Sequence, residues 1–554
     1  MSTKPIAEVA RELGLKDDEH TPFGGFAVKV KPEVRTRLDP KRAKLALVTA
    51  INPTPFGEGK TVNTIGLGDA LNRRGHRTAI TIREPSLGPT FGVKGGGAGG
   101  GKAQAFPADE LNLHFTGDFH AVTYAHNLLA ALAEARIHHQ QQPQFAPHGL
   151  MWSRVLDLPD RVLRNVVSGL GGRPHGVPHQ TGFAITAASE VMATVAAALD
   201  IDDLRERLAG LVVGVTSDDK PIVARDLEAQ GAMTLLLKHA MAPNLIQSLE
   251  GTPMFAHMGP FGNLATAHNS VLSDSMALGL ADWVVTEAGF GADLGFEKFC
   301  HIVAPNLGRS PDVAIVVATI RGLKAHSGKY VLKPGRPLPE GLLKPDREAL
   351  VTGAENLRAQ LRTVTKLGIP AVVAINRFPD DTDDEVKMLQ DLALEFGARK
   401  VAVAEAYTKG GEGNDAVAQA AEAVSEEESS ITPVYTPDTP LADKITAIAT
   451  QIYGAGSVKF AFRIKDQLKR FEEWGYGDLP ICMAKTPYSV SHDKKLLGAP
   501  QGFEFPITKV EVAAGAGFIR AYSGDIMVMP GFGTRPSALA MDVGKDGRPV
   551  GMDW

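Results

Sequence analysis

Six short apolar runs recur along the chain, and each one leads into a polar or glycine-rich segment. Their positions are 45–51, 78–82, 282–288, 313–320, 371–378 and 401–407. The runs are apolar nearly throughout instead of alternating, which is typical of parallel strands buried on both faces. Segments with helical periodicity lie between them, at 61–74, 188–199 and 355–367. This alternation predicts an α/β fold: a P-loop NTPase-like parallel sheet with helices on both faces.

The segments that follow the six runs contain charged residues as well as glycines. They read PTPFGEGKT, REPSLGPT, GFGADLGFEK, RGLKAHSG, the Pro–Asp stretch after Asn376 and Arg377, and TKGGEG. Ligands of open α/β sheets bind at the carboxyl ends of the strands. We therefore expect one site, or two neighbouring sites, built from several of these loops.

The first of these segments predicts a phosphate-binding loop between a strand and a helix. Its members are Thr54, Pro55, Phe56, Gly57, Glu58, Gly59, Lys60 and Thr61. Backbone N–H groups cradle phosphates in such a loop, the lysine reaches the β- and γ-phosphates, and the Thr61 hydroxyl ligates Mg²⁺. Thr54 stands where the usual pattern has glycine, and Pro55 presets the turn instead.

The second run ends in Arg83 and Glu84, and we expect it to lie beside the strand of the phosphate loop. An arginine there can clamp a carboxylate or a phosphate with two hydrogen bonds. The following glycine run, 95–101, either wraps a ligand or serves as a linker. The segment NLHFTGDFHA then places His114, Asp118 and His120 within a short span.

Composition narrows the functional class further. The 554 residues are 44% hydrophobic and 22% charged, with a net charge of -5 and only 6% aromatic residues, so neither a basic footprint nor stacking platforms for nucleic acid are present. Two cysteines, Cys300 and Cys482, make no disulfide framework and indicate a reducing compartment. No apolar run approaches the length of a membrane span, and the N-terminus lacks a signal-peptide core, so we expect a soluble cytoplasmic protein.

Several motifs together resemble the formate–tetrahydrofolate ligase family. They are TPFGEGKT, REPSLGP, KGGGAGGGKAQ, NLHFTGDFHAVTYAHNLLAA, EAGFGADLGFEKF, INRFPDDT, KGGEG and AKTPYS, in order from about residue 49 to about residue 530. The resemblance implies ATP- and Mg²⁺-dependent joining of formate to tetrahydrofolate, with formyl phosphate as intermediate. It also implies a homotetramer that is activated by a monovalent cation, K⁺ or NH₄⁺.

The resemblance also implies roles for single residues. Arg83 matches the arginine that binds formate and formyl phosphate, while Glu84 and Asp118 match carboxylates that bind a cation or organise the site. Phe378 resembles one wall of the pterin pocket, and Tyr407 stands where the family often has tryptophan as the opposite wall. The predicted catalytic residues are Lys60, Arg83, Glu84, Asp118 and His120, and the predicted metal ligands are Thr61, Glu84 and Asp118. The general base stays open among Glu84, Asp118, His120 and His326.

The chain departs from the family pattern outside the phosphate loop. The positions that differ are Lys102, His179, Gln180, Ala184, Thr266 and His268. These changes concern kinetics, cation response or subunit contacts more than the reaction. We divide the chain into a nucleotide- and formate-binding domain (1–342), a smaller α/β domain with the pterin residues (343–454) and a C-terminal domain (455–554).

Three other functions remain compatible with the residues alone. The first is a P-loop ligase or kinase for a small carboxylic acid that uses no folate. The second is a nucleotide-dependent switch without acyl chemistry, and the third is a family member that has lost its folate pocket. Phe378 and Tyr407 distinguish the first alternative, since two aromatic residues at neighbouring strand ends suit a flat pterin.

Overall fold

A mixed sheet of twelve strands forms the centre of the structure, a computed structural model that describes residues 3–92, 96–332 and 337–552. Ten strands follow one continuous path: β1 (His20–Phe23), β2 (Ala27–Val30), β3 (Lys44–Ala50), β4 (Thr78–Ile82), β5 (Asn244–Ser248), β6 (Pro253–Ala256), β7 (Trp283–Glu287), β8 (Val313–Ala318), β9 (Ala371–Asn376) and β10 (Lys400–Ala404). Their order across the sheet is β1-β2-β5-β6-β4-β7-β3-β8-β9-β10. A hairpin of Gly99–Gly100 and Ala103–Phe106 joins the sheet by pairing with β5.

All six predicted strands are present. Along the sheet order β6-β4-β7-β3-β8-β9-β10, every neighbouring pair is parallel. The expectation of a purely parallel sheet is wrong at the other end, where β1, β2 and β5 pair antiparallel. These strands have only four or five residues, and β1 is mostly exposed, so no long apolar run marks them in the sequence.

Helices pack on both faces of the sheet. Their bounds are α1 (Ile6–Glu12), α2 (Lys60–Arg73), α3 (Leu87–Phe91), α4 (Ala108–Asn112), α5 (Asp118–His138), α6 (Glu190–Ala197), α7 (Ile201–Ala209), α8 (Gln230–Leu237), α9 (Val271–Leu280), α10 (Ala304–Leu307), α11 (Ile320–His326), α12 (Arg347–Gly353), α13 (Glu355–Lys366), α14 (Asp383–Glu395), α15 (Ala406–Lys409), α16 (Asp415–Val424), α17 (Leu441–Gln451) and α18 (Ile464–Phe471). The three predicted helices correspond to α2, α6 and α13. Among the described residues, no helix combines the length and apolar character needed to cross a membrane.

Alternate residues of each central strand face opposite apolar layers. In β3, Leu47 packs into the layer that includes Leu361 of α13, whereas Val48 packs into the layer that includes Leu67 of α2. This arrangement explains why the strand is apolar at consecutive positions, because both of its faces are buried. It confirms the prediction of helices on both faces.

Smaller sheets surround the central one. Two-stranded pairs are Arg154–Val155 with Phe183–Ala184, Val166–Ser168 with His179–Thr181, Val212–Val215 with Pro221–Val223, Ser457–Phe460 with Glu504–Ile507, and Asp542–Val543 with Pro549–Val550. A three-stranded sheet contains Ile481–Ala484, Lys509–Ala513 and Phe518–Tyr522. Two π-helical turns, Ala292–Phe296 and Phe299–Val303, follow β7.

A buried ion pair connects the C-terminal region to these turns. Lys485, just after strand Ile481–Ala484, donates to Oδ2 of Asp293 at 2.6 Å and to the carbonyl of Ser489 at 2.6 Å. The other carboxylate oxygen of Asp293 accepts from Nδ2 of Asn52 at 2.9 Å. Both charged side chains are fully buried, so each depends on the other for its charge compensation.

Asp69 of α2 makes the stability of the fold depend on pH. Its carboxyl is fully buried, accepts from Ser248 Oγ at 2.6 Å through Oδ1, and has no hydrogen-bond partner at Oδ2. Burial raises its pKa from 3.8 to about 7, with a smaller upward contribution from Glu250 and a downward one from Arg73. Because the folded state retains this proton longer than the unfolded state, stability falls as pH rises from about 4 to 7.

We therefore expect Asp69→Asn to match the wild type at about pH 3.5 and to unfold at a higher temperature than the wild type at pH 8. The asparagine carbonyl still accepts from Ser248, and the amide never ionises. Thermal unfolding at both pH values measures the effect, and parallel pH profiles for the two proteins would contradict the account.

Candidate active site

The 54–61 loop connects β3 to α2, as the sequence predicts. Gly57 and Gly59 have φ of 73° and 75°, a backbone region that glycine adopts without strain. A Cβ atom on Gly59 would lie 2.4 Å from Nδ2 of Asn376, whereas one on Gly57 would meet nothing within 4 Å. The Asn376 amide also donates to the Glu58 carbonyl at 3.1 Å, so the loop is held against the end of β9.

Glu58 organises the loop from within. Its buried carboxylate accepts from the backbone N–H and the hydroxyl of Thr54, at 2.9 and 2.8 Å, through Oε1. Its other oxygen accepts from the Thr319 hydroxyl, at the start of α11. Thr54, which replaces the usual glycine, therefore has a structural task that glycine lacks the side chain to perform.

On the prediction that the 54–61 loop binds ATP, Gly59→Ala is expected to weaken ATP binding about tenfold or more, because the added methyl clashes with Asn376 in addition to straining the backbone. Gly57→Ala is the matched control, since it has the same positive φ without the clash, and its effect should be clearly smaller. Isothermal titration with ATP measures both variants. Equal effects would show that contact with Asn376 does not shape the loop.

Glu287 connects the loop to Arg83. The Thr61 hydroxyl donates to Oε2 of Glu287 at 2.8 Å, and Oε1 of the same carboxylate lies 3.7 Å from Nη2 of Arg83. Glu287 ends β7, which lies between β3 and β4. The expectation that the Arg83 strand directly neighbours the loop strand is therefore wrong, and the intervening strand supplies a carboxylate that sequence reasoning missed.

Arg83 is only partly paired. Its side chain is 28% exposed, and its buried Nε has no hydrogen-bond partner among the described residues. A guanidinium with spare donors beside a phosphate-type loop is suited to bind a small anion. The polar pair Arg83–Glu287 follows adjacent parallel strands, which explains why the two side chains meet at one edge of the sheet.

A second, buried cluster begins at the residue after Arg83 and contains Glu84, Asp118 and Lys29. Lys29 of β2 donates to both oxygens of Asp118 at 2.8 and 2.9 Å, and Asn244 of β5 donates to Oδ2 at 2.8 Å. Oε2 of Glu84 is buried without a hydrogen-bond partner in the described structure. Burial, followed by the nearby Asp118 charge, raises the Glu84 pKa well above its usual range.

The two histidines among the candidate bases have different surroundings. His120 is exposed on α5, and its Nε2 lies 2.8 Å from Nδ1 of His114. Burial of part of the ring, together with His114, lowers the His120 pKa. His326 is buried, donates through Nε2 to the Asn52 carbonyl at 2.9 Å, and has a pKa lowered by burial. Both imidazoles are therefore neutral at pH 7.

Phe378 and Tyr407 follow the adjacent strands β9 and β10, as predicted. The strands are still paired at this point, since Arg377 N–H donates to the Ala404 carbonyl at 3.0 Å. The Arg321 guanidinium lies 3.5 Å from the centroid of the Phe378 ring. Tyr407 is 60% exposed, and its carbonyl accepts from the Lys102 N–H at 2.9 Å.

Comparison with known proteins identifies the family. A family model described as formate–tetrahydrofolate ligase matches residues 1–553. Relatives named formate–tetrahydrofolate ligase from Roseiflexus castenholzii and from Roseiflexus sp. are each 50% identical over 550 residues, 99% of this chain and 98% of the relative. The chain belongs to the formate–tetrahydrofolate ligase family. A relative named formate–tetrahydrofolate ligase 3 from Rubrobacter xylanophilus is 46% identical over 559 residues, 99% of this chain and 97% of the relative. The resemblance read from the motifs, and the prediction that the chain is an enzyme, are thus confirmed.

The departures from the family pattern occupy different surroundings. His268 is buried, with Nε2 2.5 Å from Oδ2 of Asp274, inside a buried polar network that includes Thr81 of β4 and Thr286 of β7. His179 lies in a peripheral strand, 3.2 Å from Glu134, and Lys102 is exposed beside Tyr407. Gln180, Ala184 and Thr266 are also at least partly exposed. Part of the glycine run, at residue 95, lies outside the described residues.

Proposed function

We propose that the chain catalyses the ATP-dependent joining of formate to tetrahydrofolate, giving 10-formyltetrahydrofolate, ADP and phosphate. The observation that supports it most strongly is the connection of Thr61, Glu287 and Arg83, in which Glu287 contacts both the 54–61 loop and the Arg83 guanidinium. Family membership over the whole chain supports the same reaction.

ATP is placed in the 54–61 loop, which follows the P-loop design. The backbone of Gly57 and Gly59 has the conformation that such loops use to approach phosphates, and Lys60 begins the helix that follows. The Thr61 hydroxyl donates its proton to Glu287, so the lone pairs of the Thr61 oxygen stay free to accept or to ligate. An alcohol oxygen beside a carboxylate suits Mg²⁺, so these residues fit the ion, which would neutralise phosphate charge.

The reaction proceeds in two transfers. A formate oxygen attacks the γ-phosphorus of ATP, the bond to the β-phosphate oxygen breaks, and ADP leaves. The resulting formyl phosphate is attacked at its carbonyl carbon by the folate amine, and phosphate leaves with the former formate oxygen. Lys60 and Arg83 lower the barrier by facing the charge that develops in each step.

The amine must lose a proton during the second transfer, and Glu84, Asp118, His120 and His326 are the candidate bases. Both oxygens of Asp118 already accept hydrogen bonds from Lys29, and one also accepts from Asn244. His120 combines solvent exposure with an imidazole that is neutral at pH 7, and we assign it the role on that ground.

A monovalent cation such as K⁺ or NH₄⁺ fits the Glu84 cluster. Glu84 and Asp118 carry two carboxylates, whereas Lys29 supplies one compensating charge. The unpartnered Oε2 of Glu84 is the oxygen available to such an ion. Binding of the ion there would favour the ionised form of Glu84 and order the segment that follows Arg83.

Tetrahydrofolate is placed between Phe378 and Tyr407. The two aromatic side chains follow paired strands on the same edge of the sheet as the 54–61 loop. Stacking of a flat pterin on aromatic faces gives both affinity and orientation. A tyrosine at position 407 keeps the stacking surface and adds a hydroxyl that tryptophan lacks.

We further propose a cytoplasmic homotetramer with three parts, 1–342, 343–454 and 455–554. An exposed apolar surface supports assembly with further copies of the chain. It includes Val162, Val167 and Leu170, which are 73%, 59% and 65% exposed within the short segment 162–170. Patches of this kind on a soluble domain mark contact surfaces.

Isotope transfer tests the proposed chemistry. Formate labelled with ¹⁸O in both oxygens should deliver one labelled oxygen to inorganic phosphate in each turnover that yields 10-formyltetrahydrofolate. Unlabelled phosphate accompanying that product would exclude the formyl phosphate route. Labelled phosphate formed without folate would indicate a carboxylate kinase instead.

A further inference from the structure

The Arg321 side chain is placed between the 54–61 loop and Phe378. It lies in the first turn of α11, two residues after Thr319, whose hydroxyl donates to Glu58. Its guanidinium lies over the Phe378 ring, with 3.5 Å between Cζ and the ring centroid. At that distance the cation covers one face of the ring.

The Phe378 ring is the main contact of the Arg321 guanidinium. No hydrogen bond or ion pair connects the Arg321 side chain to another residue in the described part of the chain, and its buried Nε has no acceptor there. Glu58, Asp380 and Asp381 are near enough to act on its charge. If a ligand occupies the Phe378 face, the half-buried Arg321 side chain can move towards these neighbouring carboxylates instead.

We propose that Arg321 occupies the ligand-binding face of Phe378 and that the pterin ring must displace it in order to bind. This inference rests on the proposed role of Phe378 as a wall of the pterin pocket. A ligand binds only if its own stacking on Phe378 is at least as favourable as the guanidinium contact that it breaks. Arg321 therefore contributes to the selection of planar aromatic ligands. Once displaced, the guanidinium turns towards Glu58 and Asp381.

The proposal predicts that removing a residue of the site improves binding. Arg321→Ala should lower the Kd of tetrahydrofolate by roughly 2- to 30-fold, the range expected when a cation–π contact no longer has to be broken. Arg321→Lys should have an intermediate effect, because the ammonium stacks less well than the planar guanidinium. The pterin alone, as 6-methyltetrahydropterin, should also bind more tightly to each variant than to the wild type. For each variant the improvement should be similar to the one seen with tetrahydrofolate.

A double-mutant cycle separates this contact from the pocket itself. Isothermal titration under anaerobic conditions, without nucleotide, compares the full-length wild type with Arg321→Ala, Arg321→Lys, Phe378→Leu and the double variant Arg321→Ala/Phe378→Leu. Phe378→Leu should weaken folate binding, and Arg321→Ala should have no further effect in that background, since the contact is already absent. An unchanged ATP affinity in every variant shows that the loop is intact.

Three results would overturn the proposal. If Phe378→Leu leaves the folate affinity unchanged, Phe378 is not a wall of the pterin pocket, and its contact with Arg321 has no role in folate binding. If Phe378→Leu weakens binding but neither Arg321 variant tightens it, Phe378 is a wall of the pterin pocket but Arg321 does not compete with the pterin for its face. If Arg321→Ala weakens tetrahydrofolate but not 6-methyltetrahydropterin, the guanidinium binds the folate carboxylates instead of guarding the ring.

Discussion

Arg83→Ala is expected to lower kcat/KM for formate by about 10²–10³-fold, the loss typical when a donor to the reacting oxygen is removed. The remaining activity should not be restored by saturating formate, because in the proposed mechanism the guanidinium acts in the transition state as well as in binding. Steady-state kinetics with formate as the varied substrate measures both constants. ATP affinity should stay close to that of the wild type, since in the described part of the chain Arg83 is linked to the loop through Glu287.

The same strand provides a matched control for this variant. Arg77 precedes β4 at its opposite end and lies 3.4 Å from Asp282, far along the strand from the loop. Arg77→Ala removes a similar side chain and should leave the kinetics nearly unchanged. Full turnover by Arg83→Ala at saturating formate would remove Arg83 from the mechanism.

Asp293→Ala is expected to lower the free energy of unfolding by about 3–5 kcal/mol, because it leaves the Lys485 ammonium buried without its counter-charge. Lys485 and Asp293 are both fully buried, and the same carboxylate also accepts from Asn52. The midpoint of urea unfolding reports the change. Asp293→Asn should lose less, since its carbonyl oxygen can still accept a hydrogen bond.

An exposed ion pair serves as the control for this effect. Lys387 and Asp391 pair at 2.7 Å on α14, with both side chains more than half exposed. Asp391→Ala should change stability by less than about 1 kcal/mol, as is usual for surface pairs. A comparably small change in Asp293→Ala would show that Lys485 does not need its buried partner.

The central strands could be predicted because burial on both faces leaves a continuous apolar run. The strand 313–318 and the loop after 45–51 are clear for this reason, and the glycines at 57 and 59 mark the tight loop. The order of the strands could not be predicted, since the sequence contains no local signal that β7 lies between β3 and β4.

Two of the missed site residues, Lys29 and Asn244, lack a local signal for the same reason. Lys29 and Asn244 sit on short antiparallel strands and reach Asp118 only through the folded sheet. Glu287 is different, because it is a carboxylate at the end of an apolar strand, and that position is itself a signal for a site residue. Arg321 was visible in RGLKAHSG, but its position over Phe378 depends on the pairing of β8 with β9.

The most direct test of the account is ADP release with Mg-ATP and K⁺, with formate and tetrahydrofolate each present or omitted. We predict rapid ADP formation only when both are present, with 10-formyltetrahydrofolate formed in equal amount. Formate-dependent ADP that is indifferent to folate, or no substrate-dependent ADP despite ATP binding, would contradict the proposed ligase reaction.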